Sequence, residues 1–241
     1  MNNSSIKYEM ERFYPIVKII RSNEKYSDGW TLERYLLEMD MSDLYVLKNR
    51  NVEGEYVLKF MSVKREELET WEYLLLKEVE TQEKAALVGI APELIEAWVC
   101  EKGYVIVMRK LGKTVSDLFK EYTSFEVKQT IVLNVLKVIR MMHQNEIYHG
   151  DTHTENFMVM SNTKDISNSI TNEKEKYDAM NYKYYVIDFG STDGANVRDD
   201  YTIFACFLKC FFTNSELISI FSPLNIFDKE DLKICLIKLM N

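Results

Sequence analysis

The residues best suited to chemistry lie in two short strings. His149-Gly150-Asp151-Thr152-His153-Thr154-Glu155-Asn156 comes first, and Tyr185-Val186-Ile187-Asp188-Phe189-Gly190 follows after a polar stretch. A carboxylate can accept the proton of a hydroxyl. A second carboxylate and an amide oxygen are hard donors of the kind magnesium takes. An apolar, β-like run adjoins each string, NFMVM after the first and YYVID leading into the second. The polar residues 161–183 between them read as an insert within a hairpin. A lone Asp-Phe-Gly is most often a turn after a strand, so it is the joint occurrence in this order that carries weight.

The two strings resemble the catalytic loop H-x-D-x-x-x-x-N and the D-F-G turn of the protein-kinase-like superfamily. That resemblance implies Asp151 as catalytic base, Asn156 and Asp188 as metal ligands, and ATP and Mg2+ as cofactors. It gives His149 a structural place beneath the metal-binding turn. Upstream, Tyr56-Val57-Leu58-Lys59-Phe60 is similar to the V-A-I-K strand, which implies that Lys59 contacts the α- and β-phosphates. A glutamate on the following helix should hold this lysine. Glu83 is the expected partner, ahead of Glu80 and Glu78, because it lies on an apolar stripe with Val79 four residues before and Ala86 three after.

Val107-Met108-Arg109-Lys110-Leu111-Gly112 resembles the interlobe hinge. The resemblance implies Met108 as gatekeeper and the backbone of Arg109, Lys110 and Leu111 as the adenine contact. Asp200, at the head of Asp-Tyr-Thr-Ile-Phe-Ala-Cys-Phe, resembles the aspartate that braces the catalytic-loop backbone. It would equally suit a helix N-cap.

The pattern departs from the family at several points. No glycine occurs in Leu37-Glu38-Met39-Asp40-Met41-Ser42-Asp43-Leu44-Tyr45, where a glycine-rich loop would cover the phosphates. Three acidic residues stand there instead, so weak ATP binding is expected. Gly150 replaces the arginine that would pair with a phosphorylated activation loop, and only a short segment separates Gly190 from Asp200, so control by loop phosphorylation is not expected. His153 stands where Ser/Thr kinases commonly carry a lysine against the γ-phosphate, which puts it in the expected catalytic set.

The combination resembles atypical short members: the small kinase of the KEOPS tRNA-modification complex, RIO kinases, vaccinia-related kinases and aminoglycoside-type phosphotransferases. Trp30 to Phe221 carries the likeness. It implies an atypical Ser/Thr protein kinase acting on a protein substrate. A small-molecule phosphotransferase, favoured by His153, and a pseudokinase binding module, favoured by the glycine-free loop, stay open beside it.

Elements that could position these groups are legible from periodicity. Trp30–Leu36, Leu44–Lys48 and Glu55–Phe60 read as strands separated by polar turns, and 63–87 reads as one helix. LIEAWVCE and GYVIVMRKL form a hairpin about Lys102 and Gly103, giving a five-stranded sheet with one helix. Helices are expected over 114–122, 124–145, 200–212, 216–221 and 229–239. The expected architecture is α+β and two-lobed: an extension over 1–29, a sheet lobe over 30–111, and a truncated, mostly helical lobe over 112–241 with the insert 161–183.

Composition bounds the class. The chain has 241 residues, 46% hydrophobic and 28% charged, an ordinary globular balance. A net charge of −8 and a pI near 5.1 argue against nucleic acid as a direct ligand, since phosphate contacts need a basic surface. The polar start MNNSSIKYEMER lacks the pattern of a signal peptide, and no apolar run approaches the roughly 18 residues of a membrane helix. An intracellular, cytoplasmic protein without a membrane partner is expected. The four cysteines show no C-x-x-C spacing, and Cys206 and Cys210, inside FACFLKCFF, are expected to be reduced and buried.

Overall fold

A computed structural model describes residues 13, 16–26, 29–38, 42–63, 68–161, 181–192 and 194–221. The chain divides into two compact units, Met1–Lys110 and Leu111–Asn241.

The first unit is built on an antiparallel sheet of six strands: β1 (Ile16–Arg21), β2 (Trp30–Glu38), β3 (Asp43–Asn49), β4 (Glu55–Ser62), β5 (Leu94–Cys100) and β6 (Gly103–Arg109). Their order is β1-β5-β6-β4-β3-β2. The sixth strand corrects the expected count of five: β1 lies in the stretch read as an extension and pairs antiparallel with β5, Ile16 opposite Cys100. Phe13 and Tyr26, from the same stretch, are buried in the sheet's core.

Strand alternation divides the sheet's side chains between two clusters. Tyr56, Leu58 and Phe60 of β4 join Tyr45, Leu47, Val105 and Val107 in one. On the other side Met61, Tyr104 and Ile106 pack with Leu75 and Val79 of helix α1 (Leu68–Leu87). Gly89, in the left-handed region at φ 79°, ends the helix as glycine caps do, and Gln82 Nε2 donates to the Pro92 carbonyl at 2.8 Å beyond it.

The second unit carries α2 (Val115–Glu121), α3 (Phe125–Gln144), the hairpin β7 (Phe157–Ser161) and β8 (Tyr182–Val186), α4 (Val197–Leu208) and α5 (Asn214–Phe221). A capping box of Thr114 and Asp117 starts α2. Along α3, Val127, Ile131, Val135, Ile139 and Met142 recur at helical spacing and are buried. Helix α4 begins three residues before the expected Asp200, because Asn196 Oδ1 accepts from the Arg198 and Asp199 amides and caps it there.

The hairpin at the ends of the insert is present, with Phe157 opposite Val186 and Ser161 opposite Tyr182. Most of the insert, 162–180, and the helix expected over 229–239 lie outside the described residues. Cys100 is buried as a free thiol, whereas Cys206 and Cys210 are exposed: their apolar neighbours Phe204, Ala205 and Leu208 take the inner face of α4. Among the described residues no helix is long and apolar enough to cross a membrane.

Candidate active site

Lys59 stands on β4, an interior strand, with Leu44 of β3 and Ile106 of β6 directly opposite it. Its ammonium is buried and lies 2.9 Å from Glu78 Oε1, and both side chains are about as hidden, at 7% and 5% exposure. The partner is therefore Glu78, and the expectation of Glu83 is corrected. Glu83 is turned toward β1, where Arg21 Nε sits 2.8 Å from its Oε1. The reason is helical phase. Leu75, Glu78, Val79, Gln82 and Ala85 form the buried face, and Glu83 is one step round from it.

Met108 is half-buried opposite Val57, two positions from Lys59 on the same side of β4. The Arg109 amide donates to the Glu93 carbonyl and the Lys110 amide to the Glu55 carbonyl, each at 3.0 Å. Both N–H groups are thus engaged within the sheet unit, and what these two residues can offer a base is their carbonyls. The buried Leu111 opens the second unit.

In the second unit, hydrogen bonds fix the catalytic-loop string link by link. His149 Nδ1 accepts from the Asp151 amide at 3.2 Å, and its Nε2, 2.8 Å from the Ile187 carbonyl, must then be the protonated nitrogen. Its ring packs on Phe189, 5.2 Å between centroids. Asn156 Nδ2 donates to the Asp151 carbonyl at 2.9 Å and reaches Asp151 Oδ2 at 3.4 Å. The Asn156 carbonyl accepts from the Ile187 amide at 3.0 Å, prolonging the β7–β8 ladder by one pair.

That last bond brings Asn156 to the same end of the hairpin as Asp188. Asp188 itself is left-handed, at φ 66° and ψ 71°, and starts a 3-10 turn over Phe189–Ser191. Such a backbone is uncommon outside glycine and recurs at functional sites. With its nitrogen spent on Asp151, Asn156 has an amide oxygen left to present, an acceptor only. Among the described residues no group of three or more His, Cys, Asp or Glu could hold a metal. The smaller set of the Asp188 carboxylate and the Asn156 oxygen fits magnesium, which keeps several water or phosphate oxygens.

Asp200 is completely buried and braces the loop. Its Oδ1 accepts from the Gly150 amide at 2.8 Å, and its Oδ2 from the His149 amide at 3.1 Å and from His143 Nε2 at 2.9 Å. Thr152 Oγ1 donates to the Asp200 carbonyl. The bracing role expected of Asp200 is borne out, while the N-cap of α4 is Asn196. At Gly150, φ is 79° and an added Cβ would meet the Ser191 carbonyl oxygen at 2.3 Å. No side chain fits there.

His153 Nδ1 accepts from the Glu155 amide at 3.3 Å, which turns Nε2 toward Asp151 Oδ2, 3.5 Å away. Its ring lies against that of Phe207 on α4, centroids 5.3 Å apart and planes tilted by 43°. The Asp151 carboxylate remains 44% exposed. Sequence reasoning ranked Glu78 behind Glu83 and Glu80, and it did not reach the contact of Phe207 with His153. The helical phase of Leu75 and Gln82 would have found the first, and nothing in the local pattern announces the second.

An antiparallel sheet unit with a buried Lys–Glu pair, followed by a helical unit holding H-x-D-x-x-x-x-N against D-F-G, defines a protein-kinase-like fold. The solved kinase domain of Mycobacterium tuberculosis PknI is similar to this chain, with a TM-score of 0.52 and 16% identity over 77% of this chain and 74% of that one. A double-mutant form of the same domain gives a TM-score of 0.54 and 16% identity over 77% and 75%. No family model matches the sequence, and no curated protein does.

Proposed function

We propose that the protein is an ATP-dependent phosphotransferase that moves the γ-phosphate to a hydroxyl acceptor, in the manner of the atypical short kinases, with Ser or Thr of a protein as the acceptor. The observation that carries this reading is the set of bonds joining Asp151, Asn156 and Ile187, which gathers a proton acceptor and two hard oxygen donors at one end of the β7–β8 hairpin.

In this reading Asp151 holds the acceptor hydroxyl and takes its proton as the oxygen attacks phosphorus and the bond to the bridging oxygen breaks. Asp188 and Asn156 would hold magnesium, which when bound neutralises charge on the phosphates. Lys59, kept in place by Glu78, would contact the α- and β-phosphates. Met108 and the backbone of Arg109 to Leu111 would take the adenine.

The test is turnover of ATP with magnesium by the purified chain, with radiolabel followed into protein and into small hydroxyl compounds. Asp188→Asn should abolish transfer and leave the fold intact. Full activity in the folded variant would refute the metal assignment. Label moving only to small compounds would favour the small-molecule phosphotransferase, and nucleotide binding without transfer a pseudokinase.

A further inference from the structure

Two side-chain nitrogens lie near one oxygen of Asp151. Asn156 Nδ2 lies 3.4 Å from Oδ2 and His153 Nε2 lies 3.5 Å from the same atom. The first is held by its shorter bond to the Asp151 carbonyl. The second depends on the orientation of an imidazole ring. That ring has two restraints, the Glu155 amide at Nδ1 and the face of Phe207, itself 42% exposed on the last turn of α4. A single exposed apolar ring is ordinary on a protein surface, so it is the contact made by this one that matters. Here its contact is with the one side chain that faces Oδ2 beside Asn156.

Resting on the phosphotransferase reading above, we propose that Phe207 is a positioning residue for transfer. It holds His153 so that the His153 and Asn156 N–H groups both face Asp151 Oδ2, which leaves Oδ1 as the oxygen that receives the acceptor's proton. The chemistry at Asp151 then depends on a ring 56 residues further on in the chain, carried by α4. An unrestrained imidazole would let the carboxylate rotate and exchange its two oxygens, and loosened geometry of this kind lowers turnover without touching nucleotide binding.

The experiment is a cycle of Phe207→Ala, His153→Asn and the double variant in the full chain, with Phe207→Trp as the conservative replacement. Phe207→Ala should lower kcat about tenfold at unchanged KM for ATP, Phe207→Trp should retain most of the activity, and the double variant should be no slower than His153→Asn alone. Wild-type kcat in Phe207→Ala, or losses that multiply in the double variant, would overturn the proposal.

A second measurement needs no activity. With three histidines in the chain, the imidazole Hε1 protons give three proton NMR signals, and the one absent from His153→Asn is assigned to His153. Phe207→Ala should move that signal and leave those of His143 and His149 in place. An unmoved signal means that Phe207 does not hold His153, whatever the kinetics. If neither wild type nor Asp151→Asn transfers phosphate, the phosphotransferase reading fails separately, and if both transfer it equally, Asp151 is not the base and the positioning role falls with it; the spectrum still decides whether the ring contact exists.

Discussion

Glu78→Gln removes one charge from a pair in which both partners are almost wholly buried, 2.9 Å apart. The remaining Lys59 ammonium keeps a hydrogen-bond acceptor but loses its counter-charge, and breaking a buried pair from one side typically costs about 3–5 kcal/mol. Glu83→Gln touches a pair that is 52% and 34% exposed, where about 0–1 kcal/mol is at stake. The two substitutions are chemically identical and five positions apart on one helix, so their difference isolates burial. All three tryptophans, Trp30, Trp71 and Trp98, belong to the sheet unit, so urea unfolding followed by their fluorescence reports that unit alone. At an m-value of about 1–3 kcal/mol per molar, Glu78→Gln should lower the midpoint by at least 1 M and Glu83→Gln by a few tenths. Equal shifts, or the larger one at Glu83, would refute the assignment of the pair and the helical phase behind it.

Gly150→Ala should destabilise the second unit by about 1–3 kcal/mol, because a Cβ there meets the Ser191 carbonyl at 2.3 Å in a left-handed backbone; a thermal transition by far-UV circular dichroism at the wild-type temperature would contradict this. Asp200→Ala strands the amides of His149 and Gly150 together with His143 Nε2, and a loss of at least about 3 kcal/mol is expected on the same assay, against less than 1 if the brace is idle. Burial, and then a hydrogen bond with Tyr56, push the Tyr26 phenol up from 10.0 to about 12. The folded state thus favours the neutral phenol, so its contribution is intact below pH 10 and lost as pH rises toward 12. Tyr26→Phe should flatten the alkaline fall of the urea midpoint, and an unchanged slope would exclude Tyr26 as its source.

Much of the site was legible because its chemistry is written in contiguous strings. Asp151 to Asn156 and Asp188 to Gly190 each occupy one turn of chain, and the strands on either side alternate cleanly enough to be read as a hairpin. Lys59 was legible from its apolar flanks. Its partner was not, because a buried glutamate is misread by any rule that looks for apolar residues on the inner face, and Glu78 lies there between Leu75 and Gln82.

Strand β1 escaped for the converse reason. Its side chains are nearly all exposed, so no hydrophobic alternation marks it, and it is a strand through backbone pairing with β5. Cys206 shows the limit of reading burial from local hydropathy, since a helix in an apolar stretch still has an outer face, and Cys210 is exposed in the turn that follows. Phe207 could not be found at all, since its contact with His153 is long-range and aromatic residues on such a helix face default to packing.

The pairing of β1 with β5 also sets an order in time. Ile16 meets Cys100, so β1 waits for a partner about 80 residues later, roughly 4–16 s at ordinary rates of synthesis. Meanwhile β2, β3 and β4 can close on one another through short turns as they emerge. Ile16, Val17 and Ile19 therefore spend that interval without their ladder. For a growing chain, the vulnerable period falls before β5 leaves the ribosome, and a pause in translation ahead of residue 94 would lengthen it.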